Sequence, residues 1–247
     1  MFKQQYVVAL IAAAGMGQRM GLGMNKQFVA IGGRPILAMT VEKFDEHPYI
    51  DEIFLILKKG EEAQVTDILS KLSLKTPLRY VFGGMERQDS IRNGLSELPS
   101  HCDIVLTHDG ARPFVSKELI TKSIEGVLTT GASVLAVALK DTVKVSEDGR
   151  MVSFTPNRKT LFAAQTPQVF FKDLLLRAYA VADQEGYTGT DDCSLVEKIG
   201  GRVRLIEGSY ENIKITTPED LLFAENLVQE KGAILAKYGY DGGGGCV

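Results

Sequence analysis

Long apolar runs are lacking at the start of the sequence. Its first apolar run, Val7 to Ala14, falls far short of the roughly 20 residues a helical span needs, and the Phe2–Tyr6 segment before it is polar. Neither a signal peptide nor a membrane partner is therefore expected. Cysteine is scarce. Cys102, Cys193 and Cys246 are scattered without metal-ligand spacing, which argues against a disulfide framework or structural zinc and fits a cytoplasmic setting. Charge of one sign is lacking too: 28 Lys and Arg stand against 31 Asp and Glu, for a net charge of −3. No global field favours nucleic acid, so any anion site must come from local clustering. No repeat and no linker divides the 247 residues, a length that buries a sizeable core. Residues 1–238 read as one domain. The tail at 239–247, with four consecutive glycines at 242–245, cannot bury enough surface and is expected to be disordered.

What is present is an alternation of short apolar runs and longer amphipathic ones. Val7–Ala13, Glu52–Leu57, Leu78–Phe82, Ile104–Thr107 and Ser133–Val137 read as buried strands, with helices at Ile36–Glu46, Glu61–Leu72, Arg87–Glu97 and Lys117–Thr129 between them. The β-α-β order predicts an α/β fold, a Rossmann-like, mostly parallel sheet with helices on both faces. Near Lys140 the pattern breaks. Thr142–Ser146 and Met151–Phe154, joined by Glu147–Arg150, read as a projecting β-hairpin, an arm at about 140–158. Helices at Lys172–Gln184 and Asp191–Lys198, a strand near Val203–Ile206, and a helix at Pro218–Glu230 after Thr217 complete the chain.

Ligands of such sheets sit at the carboxyl ends of strands. After the first strand come Ala13-Ala14-Gly15-Met16-Gly17-Gln18-Arg19-Met20 and then Asn25-Lys26-Gln27. Gly15 and Gly17 permit close backbone approach to phosphate oxygens, Arg19 adds a forked donor set, and Lys26 a compact charge. Two cations around a glycine turn suit a triphosphate, although the glycines alone also fit a structural tight turn. The Gly-Lys-Ser/Thr of a P-loop is absent. A dinucleotide fingerprint fails because Met20 holds the third glycine's place and Lys58-Lys59, suited to phosphate, stand where a ribose-binding acid would end the second strand. A nicotinamide dehydrogenase is thereby disfavoured.

The first-loop pattern resembles the nucleotidyltransferases that activate sugars and alditols. Gly83-Gly84-Met85-Glu86-Arg87-Gln88-Asp89-Ser90-Ile91, His108-Asp109-Gly110-Ala111-Arg112-Pro113-Phe114, Lys140-Asp141-Thr142-Val143-Lys144, Gln165-Thr166-Pro167-Gln168, Gly189-Thr190-Asp191-Asp192 and Asn212-Ile213-Lys214-Ile215-Thr216 resemble, in order, the blocks of the 2-C-methyl-D-erythritol 4-phosphate cytidylyltransferase family. The resemblance implies transfer of CMP from CTP to methylerythritol phosphate with release of pyrophosphate, in non-mevalonate isoprenoid synthesis. It further implies magnesium as cofactor and a homodimer whose arms reach the partner. Ribitol 5-phosphate is the alternative acceptor, although Ala13-Ala14-Gly15 and Ala111-Arg112 point towards methylerythritol phosphate.

By that resemblance Arg19 and Lys26 are catalytic and bind the triphosphate. Ala13, Ala14, Gly15, Gly17, Gly83, Gly84, Ser90, Asp109 and Gly110 surround the nucleotide, and Asp109 is also the candidate magnesium ligand. Arg158, Lys214, Thr142, Arg112, Thr166, Thr190 and Asp191 are expected to position the acceptor, with Arg158 serving the neighbouring subunit. Ser90 also fits a helix-start residue, and Thr190 an N-cap. Met85 departs from the commoner aspartate of the family. His108 and Cys193 read as structural, since an ionised phosphate needs no general base.

Overall fold

The computed structural model describes residues 1–15 and 25–230. Gly17, Arg19 and the glycine-rich tail lie outside the described residues.

Strands β1 (Val7–Ala12), β4 (Glu52–Leu57), β5 (Leu78–Phe82), β6 (Ile104–Asp109), β7 (Ala132–Ala138), β8 (Phe162–Phe171) and β9 (Arg204–Glu207) form one seven-stranded sheet in the order β5-β4-β1-β6-β8-β7-β9. A short pair, β2 (Ala30–Ile31) and β3 (Arg34–Pro35), stands apart. The helices are α1 (Ile36–Asp45), α2 (Glu62–Leu69), α3 (Arg87–Ser96), α4 (Lys117–Thr130), α5 (Lys172–Glu185), α6 (Asp192–Lys198) and α7 (Pro218–Glu230).

Strand periodicity sorts the core into two layers. Val7, Ala9 and Ile11 of β1 pack with Leu37 and Phe44 of α1, Val65 of α2 and Ile120 of α4. Val8 and Leu10 face the other way, onto Ile91 of α3, Leu175 of α5 and Val196 of α6. Burial on both faces explains why these strands read as continuous apolar runs. The β1–β4, β1–β6, β4–β5 and β7–β9 pairs are parallel.

Two features depart from expectation. The first is β8, a ten-residue strand antiparallel to both β6 and β7. Its middle carries Pro167, which has no N–H for a ladder. A bulge accommodates it: between the pairs Val134–Gln168 and Ala136–Ala164, residues Gln165, Thr166 and Pro167 face Leu135 alone. Pairing of β6 with β8 stops at Thr107–Gln168, and beyond it Asp109 donates its backbone N–H to Thr166 Oγ1 at 3.0 Å.

The second is the arm. Regular strands at Thr142–Ser146 and Met151–Phe154 are not formed; one antiparallel bridge joins Val145 and Phe154. Asp148 closes the turn by accepting from the Arg150 and Met151 N–H groups, each at 2.8 Å. Met151, Val152 and Phe154 are exposed, so the segment has no core of its own, and an isolated two-stranded ribbon is marginal in water.

Candidate functional site

A cavity of about 670 Å³ opens at the carboxyl ends of β1, β4 and β6. Ala14 and Gly15 enter it from β1, Lys58 from the end of β4, and Asp109 from the end of β6. Lys26 reaches it from a 3-10 turn, Lys26–Phe28, whose N-cap Asn25 accepts from Gln27 N at 3.2 Å and donates to the Ala13 carbonyl at 3.3 Å. Lys26 is buried, and its Nζ donates to the Ile215 carbonyl at 2.8 Å.

One rim is the turn before α3. Gly83 and Gly84 are required there by space: a Cβ on Gly83 would lie 2.5 Å from that of Ala14, and one on Gly84 2.3 Å from that of Asp89. Ser90 Oγ accepts from Gly84 N at 3.1 Å and donates to the Glu86 carbonyl at 3.0 Å. It therefore ties the turn to the first turn of α3 while lining the cavity. Met85 sits on the rim with its side chain wholly exposed.

Asp109 is the electrostatic centre. Its Oδ1 lies 3.3 Å from Arg87 Nε, and its Oδ2 lies 2.9 Å from Lys214 Nζ and 3.4 Å from Arg112 Nε. Burial alone would raise this carboxyl, but Arg87, Lys214 and Arg112 together hold it well below the usual carboxylate range. The three cations favour its ionised form. Arg87 is anchored from behind by Asp192, whose Oδ2 lies 2.9 Å from its Nη2. Asp192 also accepts from Thr107 Oγ1 and Tyr179 Oη, each at 2.7 Å. Burial of Arg112 lowers its pKa, with Asp109 opposing. A guanidinium still keeps its proton in proteins.

The sequence-predicted residues divide into groups. Ala14, Gly15, Lys26, Gly84, Ser90, Asp109 and Lys214 line the cavity. Ala13, Gly83 and Gly110 form the backbone behind it: Ala13 N donates to the Ile56 carbonyl, Gly83 N to Leu57, and Gly110 N to Ala12. Arg112 and Thr166 buttress Asp109. Thr142 and Arg158 lie exposed on the arm, where Arg158 Nη1 donates to the Lys140 carbonyl at 2.5 Å. Thr190 is exposed. The N-cap of α6 is Asp191 rather than Thr190, because Asp191 Oδ1 accepts from Ser194 N at 2.9 Å while its Oδ2 accepts from Gln168 Nε2 at 2.6 Å.

Arg87 and Asp192 stand out as unassigned by sequence. Each occurs within a recognised block, but an arginine opening a helix reads as solvated until its partners on distant segments are known. His108 is buried, with Nε2 3.1 Å from the Arg112 carbonyl, and burial pushes it down to about 4. Burial raises the Cys193 thiol well above its ordinary value. Neither is placed to act as base or nucleophile.

A doubly covered α/β sheet, with a cation-rich cavity at its strand ends, defines a protein built to hold phosphorylated ligands. The profile of the 2-C-methyl-D-erythritol 4-phosphate cytidylyltransferase family matches residues 7–230. Curated proteins of that name from Alkaliphilus metalliredigens and Clostridioides difficile are 46% and 48% identical; the matches cover 91% and 89% of this chain and 94% and 92% of theirs. A solved structure of 4-diphosphocytidyl-2C-methyl-D-erythritol synthase from Anaerococcus prevotii superposes with a TM-score of 0.81 at 38% identity, covering 91% of this chain and 99% of that one. The Thermus thermophilus 2-C-methyl-D-erythritol 4-phosphate cytidylyltransferase gives 0.74 at 34%, covering 90% and 98%. The chain belongs to the 2-C-methyl-D-erythritol 4-phosphate cytidylyltransferase family.

Proposed function

We propose that this protein transfers CMP from CTP to 2-C-methyl-D-erythritol 4-phosphate and releases pyrophosphate, a step of isoprenoid precursor synthesis. The observation that carries the reading is the cavity over Asp109, where Lys26, Lys58, Arg87 and Lys214 converge on a space large enough for a nucleotide. Two polyanions must meet for the acceptor phosphate to attack the α-phosphorus of CTP in line with the leaving pyrophosphate. Their repulsion is the central barrier, and fixed cations lower it without reorganising during the reaction.

In this reading Lys26, with Arg19, holds the triphosphate and stabilises charge developing at the α-phosphate. Lys214 and Arg112, oriented by Asp109, receive the acceptor's phosphate. The Gly83–Gly84 turn offers backbone groups to the cytosine. Arg158 and Thr142 act across a homodimer, each arm completing the partner's acceptor site. Thr166 works through Asp109, and Thr190 is assigned to the acceptor's hydroxyls, with Asp191 fixing the start of α6 beside it.

Magnesium belongs to the same proposal. Among the described residues no group of three or more His, Cys, Asp or Glu side chains is arranged to hold a metal. Asp109 is an ionised hard ligand whose oxygens already carry ion pairs. It suits a water-mediated contact with a magnesium ion held chiefly by substrate phosphates. Such an ion supplies further neutralising charge on those phosphates. A cytoplasmic location fits this chemistry, and among the described residues no helix is long and apolar enough to cross a membrane.

The test is pyrophosphate release by purified protein with CTP and magnesium, run with methylerythritol phosphate and ribitol 5-phosphate side by side. Turnover is expected with the first. Turnover confined to ribitol 5-phosphate would overturn the acceptor, and none with either would overturn the catalytic reading.

A further inference from the structure

A ring of hydrogen bonds crossing three distant parts of the chain closes the back of the site. Asp109 donates its backbone N–H to Thr166 Oγ1 (3.0 Å), and the Thr166 carbonyl accepts from Asn212 Nδ2 (2.9 Å). The Asn212 carbonyl accepts from Arg112 Nη1 (2.7 Å), and Arg112 Nε returns to Asp109 Oδ2 (3.4 Å). Asn212 is completely buried, and its amide also donates to Gln165 Oε1 at 3.3 Å.

The segment that follows Asn212 is fastened to the same place. Ile215 donates its N–H to the Ala111 carbonyl at 2.9 Å, and its own carbonyl accepts from Lys26 Nζ. Between these anchors stands Lys214, its ammonium on Asp109. Asn212 Oδ1, by contrast, is buried with no hydrogen-bond partner among the described residues. An unpaired buried acceptor costs stability. The carboxamide is therefore used through its Nδ2 donor, which closes the ring onto Thr166, while Arg112 takes the backbone carbonyl that any residue would supply.

We propose that Asn212 is a positioning residue that, with Arg112 tied to its carbonyl, sets where Lys214 presents its charge to the acceptor's phosphate. It touches no substrate. The β8 bulge supplies its anchor, because Gln165 and Thr166, whose side chain and carbonyl accept from the Asn212 amide, both lie in it. The inference rests on the proposed role of Lys214 as the acceptor's phosphate ligand.

The experiment is a steady-state comparison of wild type and Asn212→Ala, varying each substrate at saturation of the other, with a thermal melt of each protein. Removing the amide loosens the Asn212 end of the segment while the Ile215–Ala111 tie beside Lys26 stays, so KM for methylerythritol phosphate should rise about tenfold, the loss of one charge-assisted contact. KM for CTP should stay within about twofold. If Asn212→Ala does not fold, Asn212→Ser, which keeps a short donor, should show the same selective rise in smaller degree. Equal rises in both KM values, or a lowered melting midpoint with unchanged kinetics in the folded protein, would overturn the inference. A wild type inactive with CTP and methylerythritol phosphate would overturn the functional reading instead.

Discussion

Asp109 and Lys214 meet carboxylate to ammonium at 2.9 Å, although one ends the central strand β6 and the other lies in the loop before α7. The contact is held by the Ile215 N–H on the Ala111 carbonyl, which fastens the later segment to the turn after β6. Asp109 is the shared counter-ion of three cations, so its loss leaves Arg87, Arg112 and Lys214 facing one another. Asp109→Asn should destabilise the protein by about 3 kcal/mol, the low end of the range for breaking a buried pair, because Lys214 remains 37% exposed. Urea unfolding measures this, and an unchanged midpoint would count against Asp109 as the organising charge.

Lys26 is the cation proposed to stabilise the charge that develops at the α-phosphate. Lys26→Ala should lower kcat by about two orders of magnitude or more, as loss of a charge partner at a developing oxyanion does. Pyrophosphate release at saturating substrates measures it. A variant altered only in KM for CTP would reduce Lys26 to ground-state binding.

The proposed crossing of arms has an arithmetic consequence. In a two-fold dimer of Arg158→Ala with Lys26→Ala subunits, one site combines intact Lys26 with the partner's intact Arg158, and the other loses both. Random mixing makes about half of the dimers mixed, so two inactive variants together should regain about a quarter of wild-type activity. Mixtures that stay inactive after subunit exchange would place Arg158 in its own chain's site.

Acid stability follows from His108. Its folded pKa is depressed to about 4 by burial, from an ordinary 6.5, so the unfolded chain binds the extra proton first as pH falls. The contribution is fully present above about pH 6.5 and is lost progressively towards pH 4, amounting to about 3 kcal/mol. His47, buried against Thr121 and likewise pushed down to about 4 by burial, acts in the same direction. Chemical unfolding between pH 7 and 4.5 should show this loss, and His108→Asn should flatten the slope. A stability independent of pH over that range would contradict the assignment.

The parallel half of the sheet could be read from sequence because each strand is buried on both faces and each helix carries one apolar stripe. Glu52–Leu57 and Leu78–Phe82 match their strands end to end. The reading failed at β8, where Gln165-Thr166-Pro167 interrupts the apolar run and a proline argues against a central strand. The bulge that resolves this conflict is a tertiary feature, set by the neighbours β6 and β7. Lys26, Asp109 and Lys214 could be named because each sits in a recognisable block. Arg87 and Asp192 sit in blocks as well, but their role arises from a contact between α3 and α6 that no local pattern encodes.

In the proposed reaction transfer is direct: the acceptor's phosphate attacks the α-phosphorus of CTP within a cage of cations, with no covalent intermediate on the protein. The stereochemical course at phosphorus tests it most directly, using CTP made chiral by sulfur at the α-phosphate and magnesium as the metal. A single in-line displacement predicts inversion of configuration in the cytidylyl product. Retention would require two displacements through a side-chain nucleophile, and would rule out direct transfer.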